Sequence, residues 1–223
     1  MLVVIFMRNY QKELDAILKT LEETGEVPTL LLHACCAPCS SYCLEYLSQY
    51  FRITLFYYNP NIHPAEEYNH RVREAKWLVA ALPAKYPISF AEGPFDPAAF
   101  YDAVKGVEDV KEGGERCFRC FRLRLSEAAK AAKEGGFDYF TTTLTISPLK
   151  NAAKLNEIGE AVGTEYGVRH LPSDFKKKGG YQRSIELSRV YDLYRQDYCG
   201  CIFSQRERAA QKEATAKQAS EMA

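Results

Sequence analysis

Residues 31–42 read LLHACCAPCSSY. An apolar run closes on His33 and Ala34, two adjacent cysteines follow, and a third sulfur, Cys39, comes after Ala37-Pro38. The run from Thr29 to Ala34 is short, continuous and apolar, the pattern of a strand buried on both faces. Residues 40–50 carry the pattern of a helix. The cysteines therefore stand where a first core strand hands over to its helix. In open α/β sheets that carboxyl edge is where ligands bind.

Working outward, residues 9–24 place Tyr10, Leu14, Ile17, Leu18 and Leu21 on one helical face, with Gly25 as a stop. Residues 52–58, RITLFYY, read as a second strand, and the prolines of NPNIHP impose a loop. An amphipathic helix is expected over 65–82 and a strand over 87–92. Asp96-Pro97 opens a short helix as N-cap and first-turn proline. GVEDVKEGG reads as a polar loop. A helix over 117–134 closes on Gly135-Gly136, a strand follows over 137–143 and a helix over 151–166. A strand over 168–171, a basic loop FKKKGGYQ and a helix over 183–195 complete the pattern. Strands alternating with helices imply an α/β fold, a doubly wound and mainly parallel sheet of Rossmann-like kind. The expected organisation is one catalytic domain over residues 1–204, with an N-terminal helix. A polar tail over 205–223 is either helical or disordered.

The 223 residues are 47% hydrophobic and 26% charged, an ordinary balance for a globular chain. No apolar run approaches the ~18 residues of a membrane span. The opening MLVVIFM lacks a basic leader and a cleavage site, so it reads as a short strand or ordered arm rather than a signal peptide. Eight cysteines without an export signal point to a reducing, cytoplasmic setting. Lys plus Arg equal Asp plus Glu at 29 each, so any nucleic-acid partner must be met by a local patch.

Six cysteines form three tight groups: Cys35-Cys36, Cys117-x-x-Cys120 and Cys199-x-Cys201. Cys117 and Cys120, three apart on a helix, share a face. With Cys35 and Cys36 they make four thiolates, a ligand set for a [4Fe–4S] cluster or a structural zinc. A vicinal Cys-Cys fits a zinc knuckle badly, which favours iron–sulfur while leaving zinc open. Cys199-Gly200-Cys201 differs in kind: a C-x-C pair can close a strained, readily reduced disulfide and store two electrons. Cys43, inside a helix, reads as a buried apolar thiol.

The motifs HACCAPC, FYYNPNIHPAEEY, ERCFRCFRLRL, TTTLTISPLKN, FKKKGGY and YCGCIFS, in that order, resemble the epoxyqueuosine reductase family QueH from about residue 29 to 203. The resemblance implies a fold like that of adenine-nucleotide α-hydrolases. It implies reduction of epoxyqueuosine to queuosine at the tRNA anticodon wobble position, the last step of queuosine synthesis. Cys35, Cys36, Cys117 and Cys120 match the family's cluster-binding cysteines, and Cys199 and Cys201 its redox pair. An additional iron beside the cluster is a further implication. Its ligand position falls at Cys39, where some members carry a carboxylate. The partners implied are tRNA carrying epoxyqueuosine and an external electron donor; oligomeric state is left open.

Lys176, Lys177, Lys178 and Arg183 form a local basic patch suited to phosphates. Tyr57 and Tyr58 end a strand near the site, as base-stacking candidates or as core. His33 reads as a core histidine, and Asn59, His63, Glu67 and Tyr68 as possible pocket lining. Two rival functions differ in their signatures. An ATP-dependent tRNA sulfurtransferase would carry a glycine-rich phosphate loop after the first strand, where HACCAPCSS has no glycine. A zinc-stabilised RNA-binding module would be colourless and would leave the C-x-C pair without a role.

Overall fold

The structure is a computed structural model that describes residues 8–221. The apolar stretch MLVVIFM, expected to be a strand or arm, lies at residues 1–7, outside the described residues.

Helix α1 (Tyr10–Thr24) is capped by the Asn9 side chain and stops at Gly25 in the left-handed region, at φ 71°. Strand β1 (Thr29–Ala34), helix α2 (Ala37–Leu47), β2 (Arg52–Tyr57), α3 (Ala65–Ala81) and β3 (Ile88–Glu92) form two consecutive βαβ crossovers. Helices α4 (Pro97–Ala103) and α5 (Glu115–Glu134) lead to β4 (Tyr139–Thr142) and a 3-10 turn (Thr143–Ile146). Helix α6 (Ala152–Tyr166), strand β5 (Arg169–His170), α7 (Gly180–Val190) and α8 (Ile202–Glu221) follow. The strand order is β3-β2-β1-β4-β5, and every neighbouring pair is parallel.

Alternation along β1 builds both layers. Leu30, Leu32 and Ala34 join Leu14 and Leu18 of α1, Leu44 and Leu47 of α2 and Leu78 of α3 on one face. Leu31 joins Leu125 and Ala128 of α5 and Leu155 of α6 on the other. The sheet is therefore doubly wound, as expected. After β1 the chain turns to one face, and after β4, its neighbour, to the other. The carboxyl edge between β1 and β4 is thus the switch point where a crevice opens.

Two helices sit differently from their expected spans. Helix α2 begins at Ala37, not at 40, because Cys36 takes an extended N-cap conformation and Pro38 falls in the first turn, where its missing N–H costs nothing. That shift puts Cys39 in the first turn. Helix α7 runs over Gly180–Val190 rather than 183–195. Gly179 precedes it at φ 76°, and Asp192 at φ 47° turns the chain toward the C-x-C loop. The tail expected to be helical or disordered is the helix α8 as far as Glu221.

Candidate functional site

Cys35 follows β1 and Cys36 caps α2, with their sulfurs 3.7 Å apart. The early start of α2 brings Cys39 back over them, so the three sulfurs lie within 4.8 Å of one another. Among the described residues no other trio of cysteine, histidine or carboxylate ligand atoms is gathered so closely, and these three can hold a metal. Hydrogen bonds from Cys36 and then Cys39 push the Cys35 thiol well below its ordinary value. The same bonds, with burial, push Cys36 and Cys39 up.

Helix α5 supplies Cys117 and Cys120. The Gly113 N–H donates to Cys117 Sγ at 3.2 Å. Cys120 is buried in a small apolar cluster with Phe100, Val104 and Cys201, which brings the C-x-x-C and C-x-C pairs together. Burial raises Cys120 to about 11 and Cys201 to about 12.

The C-x-C loop is braced on all sides. Gly200 holds φ 108°, where a side chain would be strained, and a Cβ there would press on the Arg71 guanidinium. The His63 N–H donates to Gly200 O at 2.8 Å. Ser204 Oγ accepts from the Cys199 N–H at 3.0 Å and donates to Glu112 Oε2 at 2.8 Å, while the Ser204 N–H donates to Cys201 Sγ at 3.4 Å. All eight cysteines are free.

Three cations surround these sulfurs. Arg71, 2% exposed, donates from Nε to Glu67 Oε1 at 2.7 Å and from Nη1 to Cys199 O at 3.4 Å. Arg124, 1% exposed, donates from Nη2 to Asn59 Oδ1 and from Nε to His33 Nε2 at 3.3 Å. Burial opposes the Arg124 charge, but Cys120, Cys35 and Cys199 all favour it. Burial likewise opposes the charge of Lys150, and Cys199, Cys35, Cys39 and Glu112 around it raise it.

Above the Cys35–Cys36–Cys39 floor lies a cavity of about 310 Å³, walled by Lys150, Tyr181, Tyr198, Arg195 and Cys199. Cys117, Cys120 and Cys201 are not among the residues that line it. Tyr57 and Tyr58, read as stacking candidates or as core, are core residues at 0% and 5% exposure. His33 is a core residue too, between Thr142 Oγ1 at 2.8 Å and Tyr58 O at 3.1 Å. Asn59 and Glu67 hold the two arginines, Tyr68 is buried, and His63 contributes its backbone. In the basic patch, Lys176 pairs with Asp174, Lys178 with Asp15, and Arg183 with Glu45 and Glu186; only Lys177 has no carboxylate partner. Sequence reasoning missed Arg71, Arg124, Lys150, Tyr181, Tyr198 and Ser204. The one available signal was helical spacing, which sets Arg124 four residues after Cys120.

The family profile described as "Epoxyqueuosine reductase QueH" matches residues 30–207. A curated relative of that name from Staphylococcus epidermidis is 45% identical over 200 residues, covering 88% of this chain and 84% of the relative. One from Streptococcus pyogenes is 43% identical over 198 residues, 88% of this chain and 78% of its own. One from Thermotoga maritima is 39% identical over 186 residues, 81% of this chain and 92% of its own.

Proposed function

The chain belongs to the epoxyqueuosine reductase QueH family, and on that premise we propose that its cavity receives the epoxide-bearing wobble nucleoside of a tRNA. The protein is an oxidoreductase of queuosine biosynthesis. What supports the site reading is that Cys35, Cys36 and Cys39 are gathered at one strand end while the other two cysteine pairs meet beside Arg124. Cys120 and Cys201 share one apolar cluster, and Arg124, one turn from Cys120, lies within electrostatic reach of Cys35 and Cys199. Buried cations facing thiols fit an anionic metal–thiolate centre, because neutral thiols leave such a charge uncompensated.

In this reading Cys35, Cys36, Cys117 and Cys120 hold a [4Fe–4S] cluster, and Cys39 offers a ligand for an additional iron. When bound, the cluster supplies electrons one at a time. Removing the epoxide oxygen as water takes two electrons and two protons and leaves the alkene. Cys199 and Cys201 supply that count: two S–H bonds break, one S–S bond forms, and both protons end on the departing oxygen. An external electron donor then restores the dithiol. The Lys150 ammonium sits in the cavity as a hydrogen-bond donor for the oxygen. Tyr181 and Tyr198 line the cavity as stacking candidates for a splayed base, Arg195 beside them offers charge to phosphates, and Lys177 of the basic loop adds to it. The catalytic domain extends through residue 204, in the first turn of α8, with the rest of α8 appended. A cytoplasmic setting suits eight free cysteines; no described helix is long and apolar enough to cross a membrane.

The rivals fit less well. A phosphate loop needs free backbone N–H groups. After β1, Pro38 has none and the Ser40 N–H is committed to Cys36 O. A zinc module leaves the C-x-C pair without work.

Anaerobic purification with iron, sulfide and zinc assays tests the reading. The expected protein is brown, with about four sulfides and at least four irons per chain. Cys120→Ser loses iron. Cys199→Ser keeps iron but no longer converts epoxyqueuosine in tRNA, read by nucleoside mass spectrometry. A colourless protein with stoichiometric zinc, unchanged by reconstitution with iron and sulfide, overturns it.

A further inference from the structure

Three arginines are buried to within a few per cent: Arg71, Arg116 and Arg124. Arg71 is paired with Glu67 and Arg116 with Glu207. Arg124, the most buried, has no carboxylate partner among the described residues. Its hydrogen bonds go to the Asn59 amide oxygen and His33 Nε2, both neutral, and to the Cys120 thiol one turn before it. A buried charge with only neutral partners is strongly disfavoured unless a counter-charge is supplied.

The groups around Arg124 indicate where that counter-charge comes from. It lies four residues after Cys120, on the same helical face. Asn59, which it grips, donates from Nδ2 to Ala34 O at 2.8 Å, the carbonyl just before Cys35. His33 lies on β1 two residues before Cys35. The guanidinium is therefore pinned to both chain segments that carry the proposed cluster ligands. Cys199 of the redox pair is a third charge partner. Cys120, Cys35 and Cys199, one from each of the three pairs, all favour its charge.

We propose that Arg124 is the counter-charge of the thiolate centre and holds its reduction potential up. Each electron added to a cluster adds negative charge. A fixed cation in a water-poor site favours the reduced state, and net charge and hydrogen bonds to sulfur are among the levers that set cluster potentials. This rests on the cluster reading above. Arg124 acts through the centre, not on the substrate, so it is a positioning residue.

The test is a potentiometric titration followed by EPR, with dithionite supplying the single electron of the couple. It is run on wild type, on Arg124→Gln and Arg124→Met, which remove the charge, and on Arg124→Lys, which keeps it. Iron and sulfide are assayed on every sample. The expected result is a loaded neutral variant with its potential shifted to a more negative value, and Arg124→Lys returning most of that shift. Neutral variants that fail to load while Arg124→Lys loads also support the inference, because charge is then what retains the thiolates. A loaded neutral variant with the wild-type potential overturns this inference alone. So does failure of all three variants to load, because shape rather than charge is then what the site requires. A wild type that takes up no cluster overturns the cluster reading and this inference with it.

Discussion

At the scale of single residues, Ser204 carries more than its chemistry suggests. It is 2% exposed, and it touches both cysteines of the redox pair and the Glu112 carboxylate. Truncation leaves the Cys199 N–H and one Glu112 oxygen, both half-buried, without their partner. Ser204→Ala is therefore expected to cost about 1 kcal/mol of stability, measured by urea unfolding. The larger effect falls on geometry. A dithiol that must reach an epoxide oxygen depends on its loop, and a misplacement of about 1 Å costs on the order of a hundredfold in rate. Turnover of epoxyqueuosine in tRNA should fall by roughly that factor while iron per chain stays at the wild-type level. Wild-type turnover in the variant would mean that Ser204 only fills space.

Among elements, the contact between α2 and α7 sets the wall of the site. The motif FKKKGGY reads as a loop because of its two glycines, yet α7 starts at the second. Gly179 takes the left-handed N-cap conformation. Gly180 has a different reason: a Cβ there would fall on the Phe175 carbonyl oxygen and the Tyr42 ring of α2. Because backbone cannot yield as a flexible side chain does, Gly180→Ala should lose about 1–3 kcal/mol in thermal or urea unfolding. Gly179→Ala should be affected through φ alone. Equal stability of wild type and Gly180→Ala would show that α7 can shift away without penalty. The same two glycines explain why sequence misplaced this helix. Composition marks them as breakers, whereas one is a cap and the other a close approach. Pro38 misled in the same way at α2. By contrast α1 and α6 fell close to their expected bounds, because apolar periodicity and a polar cap agree there, and β1 did because its apolar run is continuous and short.

For the molecule as a whole, the site was legible in its sulfurs and illegible in its cations. Paired cysteines at a strand end announce themselves. Arg71 and Arg124 sit in charged helical stretches that read as solvated faces, and only packing shows them buried. Whole-molecule charge is balanced at 29 against 29, so the response to mild acid is set by buried groups rather than by net repulsion. His33 is lowered to about 3 by burial and then by Arg124, and His170 to about 3 by burial and then by Arg8. Both are neutral in the folded state, while an unfolded histidine takes a proton near pH 6.5. Below about pH 6.5 the unfolded chain therefore binds more protons, and stability present at neutral pH is lost as pH falls toward 3. Each histidine contributes a slope of up to about 1.4 kcal/mol per pH unit. The depressed carboxyls Asp15, Asp138, Asp197 and Glu207 act only in a lower window, below about pH 4.5. Acid also protonates the proposed metal ligands, so wild type alone does not isolate the histidines. His170 lies away from the cysteines, at the β5 edge with no partner for its Nδ1. In urea unfolding at pH 7, 6 and 5, wild type should therefore lose up to about 1.4 kcal/mol more per unit of falling pH than His170→Gln, which lacks the titrating ring. A constant difference would mean that His170 titrates in the folded protein as it does in the unfolded chain.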